Sequence, residues 1–63
     1  MMSTLRELRK EKGLSQKDMA KKIDYSLSSY QKIESGKKKP GRKFMNKIKL
    51  IFPDVSIDRL FFN

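Results

Sequence analysis

Residues 13–36 read Gly-Leu-Ser-Gln-Lys-Asp-Met-Ala-Lys-Lys-Ile-Asp-Tyr-Ser-Leu-Ser-Ser-Tyr-Gln-Lys-Ile-Glu-Ser-Gly, and the order of signals in that stretch decides the fold. Ser15 has the chemistry of a helix cap, and Asp18 places an acid in the first turn that follows. Met19, Ala20 and Ile23 then supply one apolar stripe. Asp24-Tyr25 interrupts it, and an Asp occupies a left-handed backbone position at modest cost. Ser26 caps a second helix whose inner face is Tyr30 and Ile33, and Gly36 closes it.

The flanks carry the same kind of signal. Upstream, Thr4-Leu5-Arg6-Glu7 has the spacing of a capping box, Leu5 and Leu8 share a face, and Gly13 closes that helix at about Lys12. Downstream, Lys37-Lys38-Lys39-Pro40-Gly41 is a basic loop. A further helix is predicted from about Arg42 to Phe52, with Phe44, Met45, Ile48, Ile51 and Phe52 as its core stripe and Leu50 off it; Pro53 stops it. Ser56 caps a last turn from Ile57 to Phe61. No strand pattern and no internal repeat occurs. The expected fold is all-α: one domain over residues 1–63, with five short helices around one core.

Composition bounds the function. With neither Cys nor His, disulfides and thiolate or imidazole metal sites are excluded; the seven acids do not cluster, and with no acid pair on a recognisable face no nucleophile or general base is set up for catalysis. No cofactor is expected. The N-terminus is charged at once and no apolar run reaches the roughly 20 residues of a membrane span, so the expected location is cytoplasmic. The formal net charge is +9, from 16 Lys+Arg against 7 Asp+Glu. Such an excess attracts a polyanion and steers its association. It is also concentrated: the segment from Lys37 to Lys49 holds seven basic residues and no acid.

Two helices joined by a break of about three residues make a helix-turn-helix connection, here over residues 15–36. The run Gly13 to Gly36 resembles the Cro/C1-type (XRE-like) repressor family, a lambdoid phage repressor-like DNA-binding domain. That pattern has Gly-Leu-[Ser/Thr]-Gln, an Ala four residues on, and a Ser/Thr-capped recognition helix ending in Ile-Glu-x-Gly. The similarity extends upstream through Leu8-Arg9 and downstream to Pro40 and Val55–Phe61. There are departures: Asp24 stands where the family usually has a turn glycine, Leu27 replaces a more usual polar residue, and the connector after Gly36 is about one residue longer than in the lambdoid repressors. The resemblance implies a repressor of phage or mobile-element type acting on a double-stranded, pseudo-palindromic operator.

The reading face follows from helical geometry. At about 100° per residue, Tyr30 and Ile33 lie about 60° apart and define the buried side, whereas Ser28 and Lys32 lie about 160° and about 200° from Tyr30 and point outward together. In a helix-turn-helix that outward face enters the major groove. Lys32 can donate to guanine, Ser28 suits either kind of base pair, and Leu27 fits a thymine methyl or else flanks the core; Ser26 completes the base-contacting set. Ser29 and Gln31 flank this face, facing DNA or solvent. Gln16 at the start of the first of the two helices, Ser35, and Lys37, Lys38, Lys39, Arg42 and Lys43 of the connector are the phosphate candidates. In the resembled family the residue matching Gln16 contacts the DNA backbone and buttresses the start of the recognition helix. The positions of Arg9 and Glu34 there form a structural ion pair, and the segment matching Ile57, Arg59 and Phe61 makes a small dimer contact. A weak homodimer consolidated on DNA is therefore expected, the alternative being that the terminal phenylalanines close the core.

Other classes remain open at this stage. An antitoxin-like or anti-repressor module would use the same fold to bind a protein. RNA binding lacks an aromatic stacking platform apart from Tyr25, and membrane-surface binding would need an apolar helix face that the core already claims.

Overall fold

Four of the five helices among the described residues begin where a hydroxyl satisfies an otherwise orphaned amide. The computed structural model describes residues 4–62, and its helices are α1 (Leu5–Glu11), α2 (Gln16–Lys22), α3 (Leu27–Glu34), α4 (Arg42–Ile51) and α5 (Ile57–Phe61). The side chains of Thr4, Ser15, Ser26 and Ser56 accept from the backbone N–H three residues on. At Ser15 the box is reciprocal: the Asp18 N–H donates to Ser15 Oγ at 3.0 Å and the Ser15 N–H to Asp18 Oδ2 at 3.3 Å. Only α4 starts without a side-chain cap, at Gly41.

The ends are as specific. After α1, the Gly13 N–H donates to Lys10 O and the Leu14 N–H to Arg9 O, a Schellman motif with Gly13 at φ 71°. The same pair of bonds recurs after α2, from Asp24 to Lys21 O and from Tyr25 to Ala20 O. Asp24 therefore occupies the left-handed position, at φ 59°, as its sequence context predicts. Gly36 does the same after α3 at φ 85°. The predicted α3 end shifts by one residue, since Ser35 is the cap; α4 likewise stops at Ile51, with Phe52 as cap.

The core draws on every helix except α5, whose Ile57, Leu60 and Phe61 lie partly buried against it. Leu5, Leu8, Met19, Ala20, Ile23, Tyr30, Ile33, Phe44, Ile48, Phe52 and Val55 are buried. Of the five-residue stripe expected on α4, Phe44, Ile48 and Phe52 reach the interior; Met45 and Ile51 are only half-buried, because the stripe is wider than the contact the short neighbouring helices offer. Val55, in the loop after α4, takes an interior place instead. Its carbonyl accepts from Lys49 Nζ at 2.7 Å, tying that loop back to α4.

Phe44 is the hub of the packing. Tyr25 meets it edge-on at 5.1 Å, Phe61 does so at 6.1 Å, and Tyr30 lies tilted at 6.4 Å. One ring thus joins the α2–α3 turn, α3, α4 and α5. The radius of gyration, 10.4 Å, is that of a close-packed chain of this length, for which about 10.6 Å is expected.

Candidate nucleic-acid interface

Placement of α3 depends on what its ends are tied to. Its inner face inserts Tyr30 and Ile33 into the core, which fixes rotation about its own axis. At its C-terminal end Glu34 accepts from Arg9 twice, Nε to Oε2 at 3.0 Å and Nη2 to Oε1 at 3.1 Å. Arg9 spends a third donor, Nη1, on the Leu14 carbonyl at 2.8 Å. The structural pairing that the resemblance implied is present, and it locks α1 to the end of α3.

Gln16 extends this network. Its Nε2 donates to Glu34 Oε1 at 3.2 Å, and its Oε1 accepts from Gln31 Nε2 at 3.1 Å. The expected buttress of α3 therefore exists but acts at a different place: Gln16 braces the middle and end of the helix, not its start. Burial favours the neutral form of Glu34, yet the donors of Arg9, Tyr30 and Gln16 outweigh it and hold the carboxyl below the usual carboxylate range. Arg9 is shifted upward, chiefly by its hydrogen bond to Glu34. The Tyr30 hydroxyl is buried beside the pair without a hydrogen-bond partner of standard geometry. Burial first, and the adjacent carboxylate second, push its pKa up and keep it neutral.

On the other side of this brace lies a shallow concave surface. It is lined by Gln16, Ser28, Gln31, Lys32, Ser35 and Lys37. Five of the six are residues that sequence reasoning singled out, and they come from three places in the chain: the first turn of α2, the outer face of α3 and the connector. Gln31, which the sequence placed beside the reading face toward either DNA or solvent, lines this surface as well. The signal for it was faint, since a Gln three residues before Glu34 shares that helix face without announcing a partner on α2.

The remaining predicted residues fall around this surface. Ser26 and Leu27 stand at the exposed start of α3, where the Ser26 hydroxyl accepts from the Ser29 N–H at 3.2 Å and Leu27 is 39% exposed. Ser35 directs its hydroxyl to the Lys32 carbonyl at 3.2 Å. Lys38 and Lys39 are exposed in the connector. Arg42 and Lys43 are exposed in the first turn of α4; Arg42 also borders a groove between α4 and α5 with Met45, Ile57 and Phe62. In α5, Arg59 is exposed, whereas Ile57 and Phe61 are half-buried against the core. Phe61 thus does what the alternative reading of the terminal phenylalanines expected. Phe62 does not, at 67% exposed. Tyr25 has its ring edge on Phe44 and Lys47 Nζ 5.3 Å from its centroid, so its ring is already engaged.

Two helices joined by a Schellman turn, the second presenting a polar and basic outer face beside a basic connector, define a DNA-binding helix-turn-helix module. A helix-turn-helix family model matches residues 5–60. The chain belongs to that family, of the Cro/C1 (XRE-like) type, and is a DNA-binding helix-turn-helix regulator. No curated protein and no solved structure matches it significantly. No helix among the described residues is long and apolar enough to cross a membrane.

Proposed function

We propose that this regulator is a sequence-specific transcriptional repressor that reads a pseudo-palindromic duplex operator through the major groove. The observation that carries the reading is the concave surface on which Gln16, Ser28, Lys32, Ser35 and Lys37 converge. Lys32 offers donors to guanine O6 and N7, Ser28 pairs with either kind of base pair, and Leu27 lies against a thymine methyl, with Ser26 beside it. Gln16, Ser35, Lys37, Lys38, Lys39, Arg42 and Lys43 hold phosphates on either side, setting register and supplying the salt-sensitive part of affinity. Two copies occupy two half-sites as a weak homodimer that DNA consolidates, with Ile57, Arg59 and Phe61 at the contact. A repressor of phage or mobile-element type fits this arrangement.

Selection from random duplexes followed by footprinting tests the reading. Two symmetric half-sites about 34–36 Å apart are expected, with discrimination of at least about 10³ over random DNA. Selection that enriches no duplex would reject it. A second reading, an antitoxin-like or anti-repressor module, is favoured by the exposure of Leu50 (80%) and Phe62 (67%), which a protein partner would cover. It predicts co-purification with a protein and no selected duplex.

A further inference from the structure

The brace between α1 and α3 has a second open side. There a depression is lined by Arg6, Arg9, Ser15, Gln16, Glu34 and Ser35. It shares Gln16 and Ser35 with the concave reading surface, so the two are continuous around those side chains. Within it the charges are unequal. Arg9 and Glu34 neutralise one another in their two-point pair, with Arg9 further spent on the Leu14 carbonyl. Arg6 is exposed and has no acidic partner in the depression beyond the one Arg9 already holds.

Donor geometry points the same way. Gln16 Nε2 uses one of its two hydrogens on Glu34, which leaves the other for a ligand. Ser15 Oγ accepts from the Asp18 N–H and keeps its own hydrogen to donate. A planar guanidinium, an amide and a hydroxyl lining one depression, together with a mutually neutralised ion pair, suit a tetrahedral oxyanion, and the guanidinium fork matches two phosphate oxygens at once.

We propose that Arg6 of α1 holds a DNA backbone phosphate at this depression, extending the interface from the helix-turn-helix onto the first helix. The inference rests on the DNA-reading assignment above and deepens it. Arg6 carries no base information; it sets register and contributes to affinity equally on all sequences.

The test compares the full chain with its Arg6→Gln, Arg6→Lys and Lys32→Ala variants on the selected operator, titrated between 50 and 200 mM KCl. Losing one phosphate contact should lower the slope of log affinity against log salt by about 0.9. Over that range the wild type should therefore lose about 3.5-fold more affinity per bound protomer than Arg6→Gln, or about 12-fold more for the two copies on one operator. The ranking of operator variants should stay as in the wild type, and Arg6→Lys should keep the full slope. Replacing single phosphates by uncharged methylphosphonates should reveal one position per half-site that weakens the wild type and Arg6→Lys but not Arg6→Gln. If Arg6→Gln unfolds, the methylphosphonate scan on the wild type and Arg6→Lys decides: a position next to the Gln16 contact that weakens both supports the seat, and none overturns it. A wild-type slope in folded Arg6→Gln also overturns it. These failures are distinct from failure of the reading itself, in which the wild type selects no duplex and Lys32→Ala changes no preference.

Discussion

Arg9 and Glu34 stand 25 residues apart in sequence and meet through two parallel hydrogen bonds of 3.0 and 3.1 Å, with 12% and 5% of their side chains exposed. Removing one member leaves the other desolvated and unpaired, which costs more than the pair contributes as a unit. Glu34→Ala should therefore destabilise the chain by about 2–3 kcal/mol, a figure below that of fully buried pairs because Arg9 keeps its bond to Leu14. In a domain this small that lowers Tm by about 10–20 °C. Base preference, measured at a temperature where the variant is folded, should not change. A shift in preference with an unchanged Tm would show that Glu34 reads DNA and does not merely hold α3 in place.

The same carboxylate makes stability depend on acid. Its folded pKa lies below the ordinary value of 4.5, so the native state binds its proton less readily than the unfolded chain does. The stabilisation is present above pH 4.5 and is lost as pH falls through the depressed folded value. Asp18 adds in the same direction from below 3.8, through its hydrogen bonds to Ser15. Arg9, raised from 12.5, contributes nothing to this window. Thermal melts should show a flat Tm from pH 7 to about 5 and a fall beneath it. Glu34→Gln should start lower at neutral pH and fall less steeply in acid, with the residual slope reduced further by Asp18→Asn.

Asp24 holds the left-handed position between α2 and α3 at φ 59°, where a β-carbon is strained. Its compensation is slight: Lys47 Nζ is 3.8 Å away, and the Asp24 side chain is 98% exposed. Asp24→Gly relieves the strain at the cost of a more flexible unfolded chain. The net expectation is a gain of about 0.5–1 kcal/mol with DNA affinity unchanged. Asp24→Ala, which keeps the strain and loses the local polar group, should be destabilised in urea unfolding. Equal stability for the Gly and Ala variants would mean that the backbone strain at this turn is negligible.

How far the sequence carries depends on the range of the interaction. Thr4, Ser15, Ser26 and Ser56 cap helices through residues three positions away, and Gly13, Asp24 and Gly36 end them through bonds equally local. Those signals were legible because all their partners lie within one turn. The outward face of α3 was legible for the same reason, since helical periodicity alone turns Ser28 and Lys32 away from Tyr30. What spacing cannot reveal is side-chain chemistry between distant segments. Nothing local to Gln16 indicates that its amide accepts from Gln31 while donating to Glu34, nor that Lys49 ties down the Val55 loop. The Arg9–Glu34 pair came into view through family resemblance only. Nor does periodicity set how wide an apolar stripe the neighbours can cover, which is why Met45 and Ile51 stay half-buried.

The base contact proposed for Lys32 and the bracing by its neighbour Gln31 can be told apart on one helix. Lys32 lies on the concave surface, and its side chain has no hydrogen bond or ion pair to another described residue, so its ammonium is available to a base. Gln31 lines the same surface but commits an amide hydrogen to Gln16 at 3.1 Å. Lys32→Ala should cost about 1–3 kcal/mol on the best operator and relax preference at one position in each half-site, leaving weaker sites nearly unaffected. Gln31→Ala removes one of the two bonds that hold the Gln16 amide, leaving only the one to Glu34, and because Gln16 is proposed to hold a phosphate, the loss should be similar on every sequence. Gln16→Ala and the Gln16→Ala/Gln31→Ala double variant complete the cycle. If Gln31 acts through Gln16, the double variant should bind no more weakly than Gln16→Ala alone; additive losses would make Gln31 an independent contact to DNA.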